Sequence, residues 1–290
     1  MSPRPPHTDA ASQAGPAKPG QVKSITSVSN PMIKEIRALA TQRKRRKEAG
    51  LFVAEGLKLI TDAMQADWPI RTLVFGAEVR EQPMVAQAAA KARARGATVL
   101  DVNRAVLTAI TRRDNPQMVV GVFEQQWFDT ERIDPARGPL WIGLDTIRDP
   151  GNLGTIIRTA DAVGADGIIL IGDTTDPFAV EAVRATMGSI FHMPIARMTR
   201  ETFLKWRKSW PGAVIGTHLE GSIDYRKAAY TDPTLLLMGT EQSGLPEEMT
   251  AACTQLVRIP QAGQADSLNL AVATGVMLYE IRRDKLVLEG

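Results

Sequence analysis

Three short stretches in the C-terminal half gather the residue types from which a polar binding site is built. The first is Asp149-Pro150-Gly151-Asn152-Leu153-Gly154, followed by Arg158. Gly154 and Arg158 are four apart, so on a helix they share a face, and the arginine points back toward the loop. The second is Met238-Gly239-Thr240-Glu241-Gln242-Ser243-Gly244-Leu245-Pro246, directly after three leucines. Its glycines let backbone approach a ligand closely, and Glu241 stands where a strand ends, a place where packing seldom needs a carboxylate. The third runs from Ile259 through Gly263 to Ser267, Leu268 and Asn269 and leads into a long apolar segment. Each stretch also has a plain structural account. Arg158 can pair with Asp161, Glu247 and Glu248 can be first-turn acids of a helix, and Ser267 is a natural N-cap. Neither a Gly-Lys-Ser/Thr phosphate loop nor a Gly-x-Gly-x-x-Gly fingerprint occurs in this half, which disfavours nucleoside triphosphate and standard dinucleotide chemistry.

These loops need strands and helices to hold them. Apolar runs at 140–144, 167–171, 213–216, 235–238 and 256–259 predict strands, unalternating and therefore covered on both faces. Helices are expected near 153–163, 177–187 and 246–254, with a long one from about Leu268. In a parallel α/β sheet, ligands bind beyond the carboxyl ends of the strands, where all three loops fall. Upstream, Asn30-Pro31 opens a helix carrying Met32, Ile33, Ile36, Leu39 and Ala40 at helical spacing. That helix is expected to run into Arg43-Lys44-Arg45-Arg46-Lys47, and strands and helices alternate from there to residue 123. The fold class is thus α/β in two domains, each with a largely parallel sheet. The expected divisions are a tail over 1–23, a first domain over 24–125, a linker over 126–138 and a second domain over 139–290.

Composition narrows the classes. The 290 residues are 44% hydrophobic and 23% charged, ordinary for a globular protein with a sizeable core. Aromatics are only 5%, so packing is expected to rest on Ala, Val, Ile and Leu. The net charge of +3 argues little by itself for a polyanionic partner. Cys253 is the single cysteine, so no intrachain disulfide forms and a reducing compartment, the cytoplasm, is expected. No apolar run approaches the ~18 residues of a membrane span. His7, His192 and His218 are too dispersed to suggest a metal site, and Trp206 and Trp210, four apart, suit helix packing.

Taken in order, the loops resemble the motifs of the SpoU (TrmH-like) RNA ribose 2′-O-methyltransferases of the SPOUT class. The first motif is matched by Asn152, Gly154, Arg158 and Ala160. Gly239, Glu241, Gly244 and Leu245 match the second, and Ile259, Pro260, Gly263, Ser267, Leu268 and Asn269 the third. The segment Ala185-Thr186-Met187-Gly188-Ser189 is also similar to one the family carries. Gln261 departs from a common methionine, and Leu270-Ala271 from a usual Val-Ser pair. The resemblance covers about 138–290, and the stretch from Ser29 to Gly56 is similar to the α/β substrate-binding module that precedes many members.

The resemblance implies a C-terminal trefoil knot, a homodimer whose site draws on both subunits, and S-adenosylmethionine as methyl donor. It places Gly239, Ile259, Leu268 and Thr217 around the donor, and Asn152, Arg158, Glu241, Ser267 and Asn269 at the reacting ribose. A guanidinium titrates at ~12.5–13.8, too high for a general base near neutrality. Arg158 is therefore expected to bind a phosphate and stabilise the forming alkoxide, with Asn152 orienting it or the ribose, and Glu241 organising the loop. RNA, ribosomal rather than transfer RNA, is the expected partner, met by Arg43, Lys44, Arg45, Arg46 and Lys47 with Lys34 and Arg37. The plain alternative for that run is a solvated helix end. Rival readings are a tRNA 2′-O-methyltransferase, a catalytically inactive RNA-binding protein of this fold, and a small-molecule enzyme on a doubly wound fold.

Overall fold

The computed structural model describes residues 18–218, 223–240, 243–264 and 267–287. Two compact units emerge. One takes residues up to Gln126 together with Asp176–His192, and the other takes Trp127–Thr175 and everything from Met193 onward.

In the first unit, β1 (Val22–Ile25), α1 (Pro31–Thr41), α2 (Arg43–Ala49), β2 (Leu51–Glu55) and α3 (Leu57–Gln65) precede β3 (Ile70–Gly76). Next come α4 (Pro83–Ala94), β4 (Thr98–Val102), α5 (Arg104–Thr111) and β5 (Val119–Glu124). The sheet order is β1-β4-β3-β5-β2. β1, β4 and β3 run parallel, and β5 is antiparallel to both β3 and β2, so four of the five strands share one direction and a single reversed strand interrupts the largely parallel sheet expected here. Hydrophobic periodicity carries no strand direction, so the reversal had no signal. β1 also starts inside the expected 1–23 tail, of which residues 1–17 lie outside the described residues. Only Ile25 of β1 is buried, and backbone pairing to β4 holds the rest.

One face of this sheet carries Ile33, Ile36 and Leu39 of α1 against Val53, Val74, Leu100 and Val120. Elsewhere the core is aromatic: Phe52 meets Phe178 at 4.9 Å and Trp68 at 5.7 Å, and Trp68 meets Phe191 at 5.3 Å. The scarce aromatics are thus concentrated in one cluster, while most of the core rests on Ala, Val, Ile and Leu as expected. Phe178 and Phe191 belong to Asp176–His192, which the sequence reading kept in the second domain; their burial beside Phe52 and Trp68 explains why the segment joins the first unit. It carries α7 (Val180–Ala185), shorter than the expected helix.

The expected single helix through the basic run is broken. Gln42 is extended (φ −116°, ψ 110°) and divides α1 from α2. Arg46 is buried: its Nε donates to Asp176 at 2.7 Å and its Nη1 to the Leu39 carbonyl at 2.9 Å, closing the end of α1. Burial of a guanidinium requires this pairing.

The second unit holds β6 (Leu140–Asp145), α6 (Pro150–Ala162), β7 (Gly167–Ile171), β8 (Ile195–Met198), α8 (Arg200–Arg207) and β9 (Ala213–Thr217). β10 (Ile223–Asp224), β11 (Thr234–Met238), α9 (Glu247–Thr250), β12 (Gln255–Arg258) and α10 (Leu270–Ile281) complete it. Its sheet order is β10-β12-β9-β11-β6-β7-β8, parallel throughout. Every residue of β6, β7 and β11 is buried, as unalternating apolar strands require. α10 packs on α6. Trp206 and Trp210 pack at a tilt, 5.7 Å apart, with Trp210 in the core beside Phe203 and Trp206 against it, the packing role expected of them. Among the described residues no helix is long and apolar enough to cross a membrane.

Candidate active site

The carboxyl ends of β6, β9, β11 and β12 open into two adjoining cavities in the second unit. The larger, about 550 Å³, is lined from the first loop by Asp145, Thr146, Arg148, Asp149 and Asn152 and from across by Arg200, Thr240 and Ser243. The smaller, about 100 Å³, is lined by Thr217, His218, Gly239, Ile259, Ser267 and Leu268, with apolar walls from Met238, Val257 and Ala273. Thr240, Gly244 and Leu270 line both cavities and so form their common wall.

Local chemistry explains each loop. Asp149 caps α6, its carboxylate accepting from the Asn152 amide at 2.6 Å, and Pro150 takes the first turn where no N–H is missed. The helix therefore starts three residues earlier than expected, and Asn152 rides its first turn. In the second loop, Thr240 and Gly244 exchange backbone hydrogen bonds at 3.1 and 3.0 Å. A Cβ on Gly239 would stand 2.1–2.2 Å from the Gly244 carbonyl group, so only glycine permits this approach. Gly244 itself needs φ +64°. In the third loop the cap of α10 is Asn269, not Ser267: its side-chain oxygen accepts from Ala271 at 2.9 Å and Val272 at 3.3 Å. Asn269 Nδ2 also donates to Asn152 Oδ1 at 3.0 Å, tying the first loop to the third.

All four residues expected around a donor, Thr217, Gly239, Ile259 and Leu268, line the smaller cavity together with Ser267. Asn152 lines the larger one. Arg158 is exposed on α6 and belongs to neither lining. Glu241 lies outside the described residues. Of the basic run, Arg46 is withdrawn by its buried pairing, and Arg45 is engaged with Glu35 at 2.9 Å. Arg43, Lys44 and Lys47 are exposed beside Lys34 and Arg37, although Lys44 approaches Glu48 at 3.9 Å. Among the described residues, no group of three or more His, Cys, Asp or Glu is placed to hold a metal.

Sequence reasoning missed Asp145 and Arg200. Asp145 ends β6 only 1% exposed, and Arg200 clasps it through Nε at 3.2 Å and Nη2 at 3.0 Å. Arg200 Nη2 also reaches Thr146 Oγ1, and Nη1 reaches Glu248 at 3.1 Å. The hydrogen bond that Arg200 donates to Asp145 raises the Arg200 pKa above its ordinary value, so the guanidinium stays charged. A carboxylate ending an apolar strand was a readable signal; its partner 55 residues away was not. Arg200→Ala leaves a buried carboxylate unpaired and is expected to lower unfolding free energy by about 3 kcal/mol, as measured by urea denaturation.

The chain is similar to known proteins over most of its length. A model of the SpoU rRNA Methylase family matches residues 139–279, and one of the MRM3-like substrate binding domain matches 30–121. The chain is 33% identical over 270 residues to the 23S rRNA (uridine(2479)-2′-O)-methyltransferase of Streptomyces viridochromogenes, covering 91% of this chain and 93% of that one. It is 29% identical to the 23S rRNA (guanosine(2553)-2′-O)-methyltransferase RlmP of Bacillus subtilis (strain 168), over 90% of this chain and all of that one. A solved AdoMet-bound rRNA methyltransferase from Sinorhizobium meliloti superposes with a TM-score of 0.87 at 56% identity, over 92% of this chain and 100% of the other.

Proposed function

Because the chain belongs to the SpoU rRNA methylase family, we propose that it methylates a ribose 2′-hydroxyl of ribosomal RNA, with S-adenosylmethionine as donor. The observation that carries this reading is the pair of cavities with a common wall of Thr240, Gly244 and Leu270. One is small and glycine-cradled, the other wider and lined with charge, as a donor and a nucleotide require.

The lining of the smaller cavity suits the donor. Met238, Val257, Ile259, Leu268 and Ala273 offer apolar walls, and Gly239 allows the close approach of the Gly244 backbone that shapes the rim. When bound there, S-adenosylmethionine supplies a methyl on a positively charged sulfur, open to displacement by oxygen. The residues of the larger cavity then hold the ribose: Asn152, fixed by Asn269, orients it, and Arg148 is the exposed cation at its mouth. The 2′-hydroxyl must lose its proton as it attacks, so a fixed positive charge at the oxygen lowers the barrier. Arg158 supplies that charge from a second copy of the chain, while a phosphate oxygen or water takes the proton. Its position outside both cavities of its own chain favours a shared site in a homodimer. Exposed Val272 and Tyr279 on α10 supply apolar surface for such an interface. The trefoil knot belongs to the same reading, as does a cytoplasmic location beside the ribosome. Ser267 and Asn269 complete the third side, Glu241 organises its loop, and the exposed Arg43, Lys44 and Lys47 meet RNA phosphates.

Isothermal titration of the full chain with S-adenosylmethionine tests the reading first. One site per chain is expected. Absence of binding would return the small-molecule alternative on a doubly wound fold.

A further inference from the structure

Glu55 closes β2, and the chain turns at once through Gly56, whose φ of +101° suits glycine. The Glu55 residue is 6% exposed, yet its carboxylate Oε2 is buried and accepts no hydrogen bond. Folded proteins fill buried acceptors, because an empty one forfeits its hydration with no return. Arg46, equally buried, shows the contrast: it has Asp176 and two backbone carbonyls. Burial pushes the Glu55 carboxyl above the usual range, and the nearby Arg113 guanidinium pulls it back.

The surroundings of Glu55 are those of a receptor. The loop between α5 and β5 lies over it, and the Gln117 side-chain oxygen stands 3.3 Å from where a Gly56 Cβ would be. Arg112, Arg113, Asn115 and Gln117 of that loop are exposed, and Arg112 adopts φ +56°. A buried carboxyl, an exposed amide and an exposed cation therefore lie near one end of the sheet.

Building on the RNA reading above, we infer that Glu55, Gln117 and Arg113 form a pocket for one unpaired guanine, separate from the methyl-transfer site. The geometry pairs the buried carboxylate with the base and the exposed guanidinium with the adjoining phosphate. Guanine is the RNA base that presents an imino and an amino donor side by side on its Watson–Crick edge. A carboxylate, which accepts on both oxygens, is complementary to that pair. Single-stranded bases are the ones a protein can read on this edge, since duplex RNA hides it. The pocket is a specificity element: it selects RNA by an unpaired guanine other than the target nucleotide.

The test uses the full-length protein and fluorescently labelled short oligouridylates carrying a central guanosine, a central inosine, or neither. Inosine keeps the imino donor and lacks the amino group. The wild type is expected to bind the guanosine oligomer about tenfold more tightly than plain oligouridylate, with inosine between. Glu55→Gln is expected to erase that preference while leaving oligouridylate affinity and S-adenosylmethionine affinity unchanged. Arg113→Ala is expected to weaken all three oligomers alike and to flatten their salt dependence. Equal binding of the three oligomers by the wild type overturns the pocket, and that arm does not depend on any variant folding. So does a guanosine preference that survives in Glu55→Gln. Failure of the wild type to bind ribosomal RNA in any salt-dependent way would instead retire the RNA reading itself.

Discussion

Arg158→Ala is expected to lower methyl transfer to ribosomal RNA by ~10²–10³-fold while leaving S-adenosylmethionine affinity within about twofold of wild type, the usual effect of removing one preorganised charge from a developing oxyanion. The split follows from the role proposed for Arg158, which serves the ribose oxygen and its phosphate and makes no contact the donor needs for binding. Single-turnover transfer of labelled methyl, beside donor calorimetry, measures both. Arg158→Lys is expected to recover only part of the loss, because an ammonium keeps the charge but not the planar fork. A variant that keeps full activity would show that the arginine is a surface residue paired along its own helix.

Gly239→Ala is expected to raise the donor dissociation constant at least ~100-fold, a change of about 2.7 kcal/mol. The added carbon would stand 2.1–2.2 Å from the Gly244 carbonyl group, so the Thr240–Gly244 bridge must open or the cavity must close. Circular dichroism should stay native, because the displaced segment lies beyond β11. This variant and Arg158→Ala together also test the shared site. Mixed dimers of the two inactive chains carry one intact site, with Gly239 from one copy and Arg158 from the other. Equal mixing and exchange is expected to restore about a quarter of wild-type activity. No recovery on exchange would place both residues in the same chain's site.

What the sequence showed, and what it hid, follows from the range of each interaction. Thr217, Gly239 and Ile259 sit at or just beyond the ends of apolar strands, and in a parallel sheet those ends share one edge. Local pattern plus one topological rule therefore brought them together. Asn269 was visible as a polar residue at a helix start, but its choice over Ser267 as the cap depends on a backbone φ of −51° that spacing does not encode. The Asp145–Arg200 clasp joins residues 55 apart, and nothing local to either announces the other. Phe178 and Phe191 follow a strand of the second sheet in the chain and are buried in the first unit, a long-range choice decided by aromatic packing. The basic run misled for a related reason. Charge density was legible, but the fate of Arg46 was set by Asp176, 130 residues on.

Chemical identification of the product tests the central claim most directly. The purified chain would be incubated with methyl-labelled S-adenosylmethionine and ribosomal RNA isolated from cells lacking its gene, then the RNA digested to nucleosides and separated. The label is expected in a single 2′-O-methylnucleoside, and Gly239→Ala should abolish it. Label on a base-methylated nucleoside, or none in RNA while donor is bound, would contradict a ribose oxygen as the acceptor.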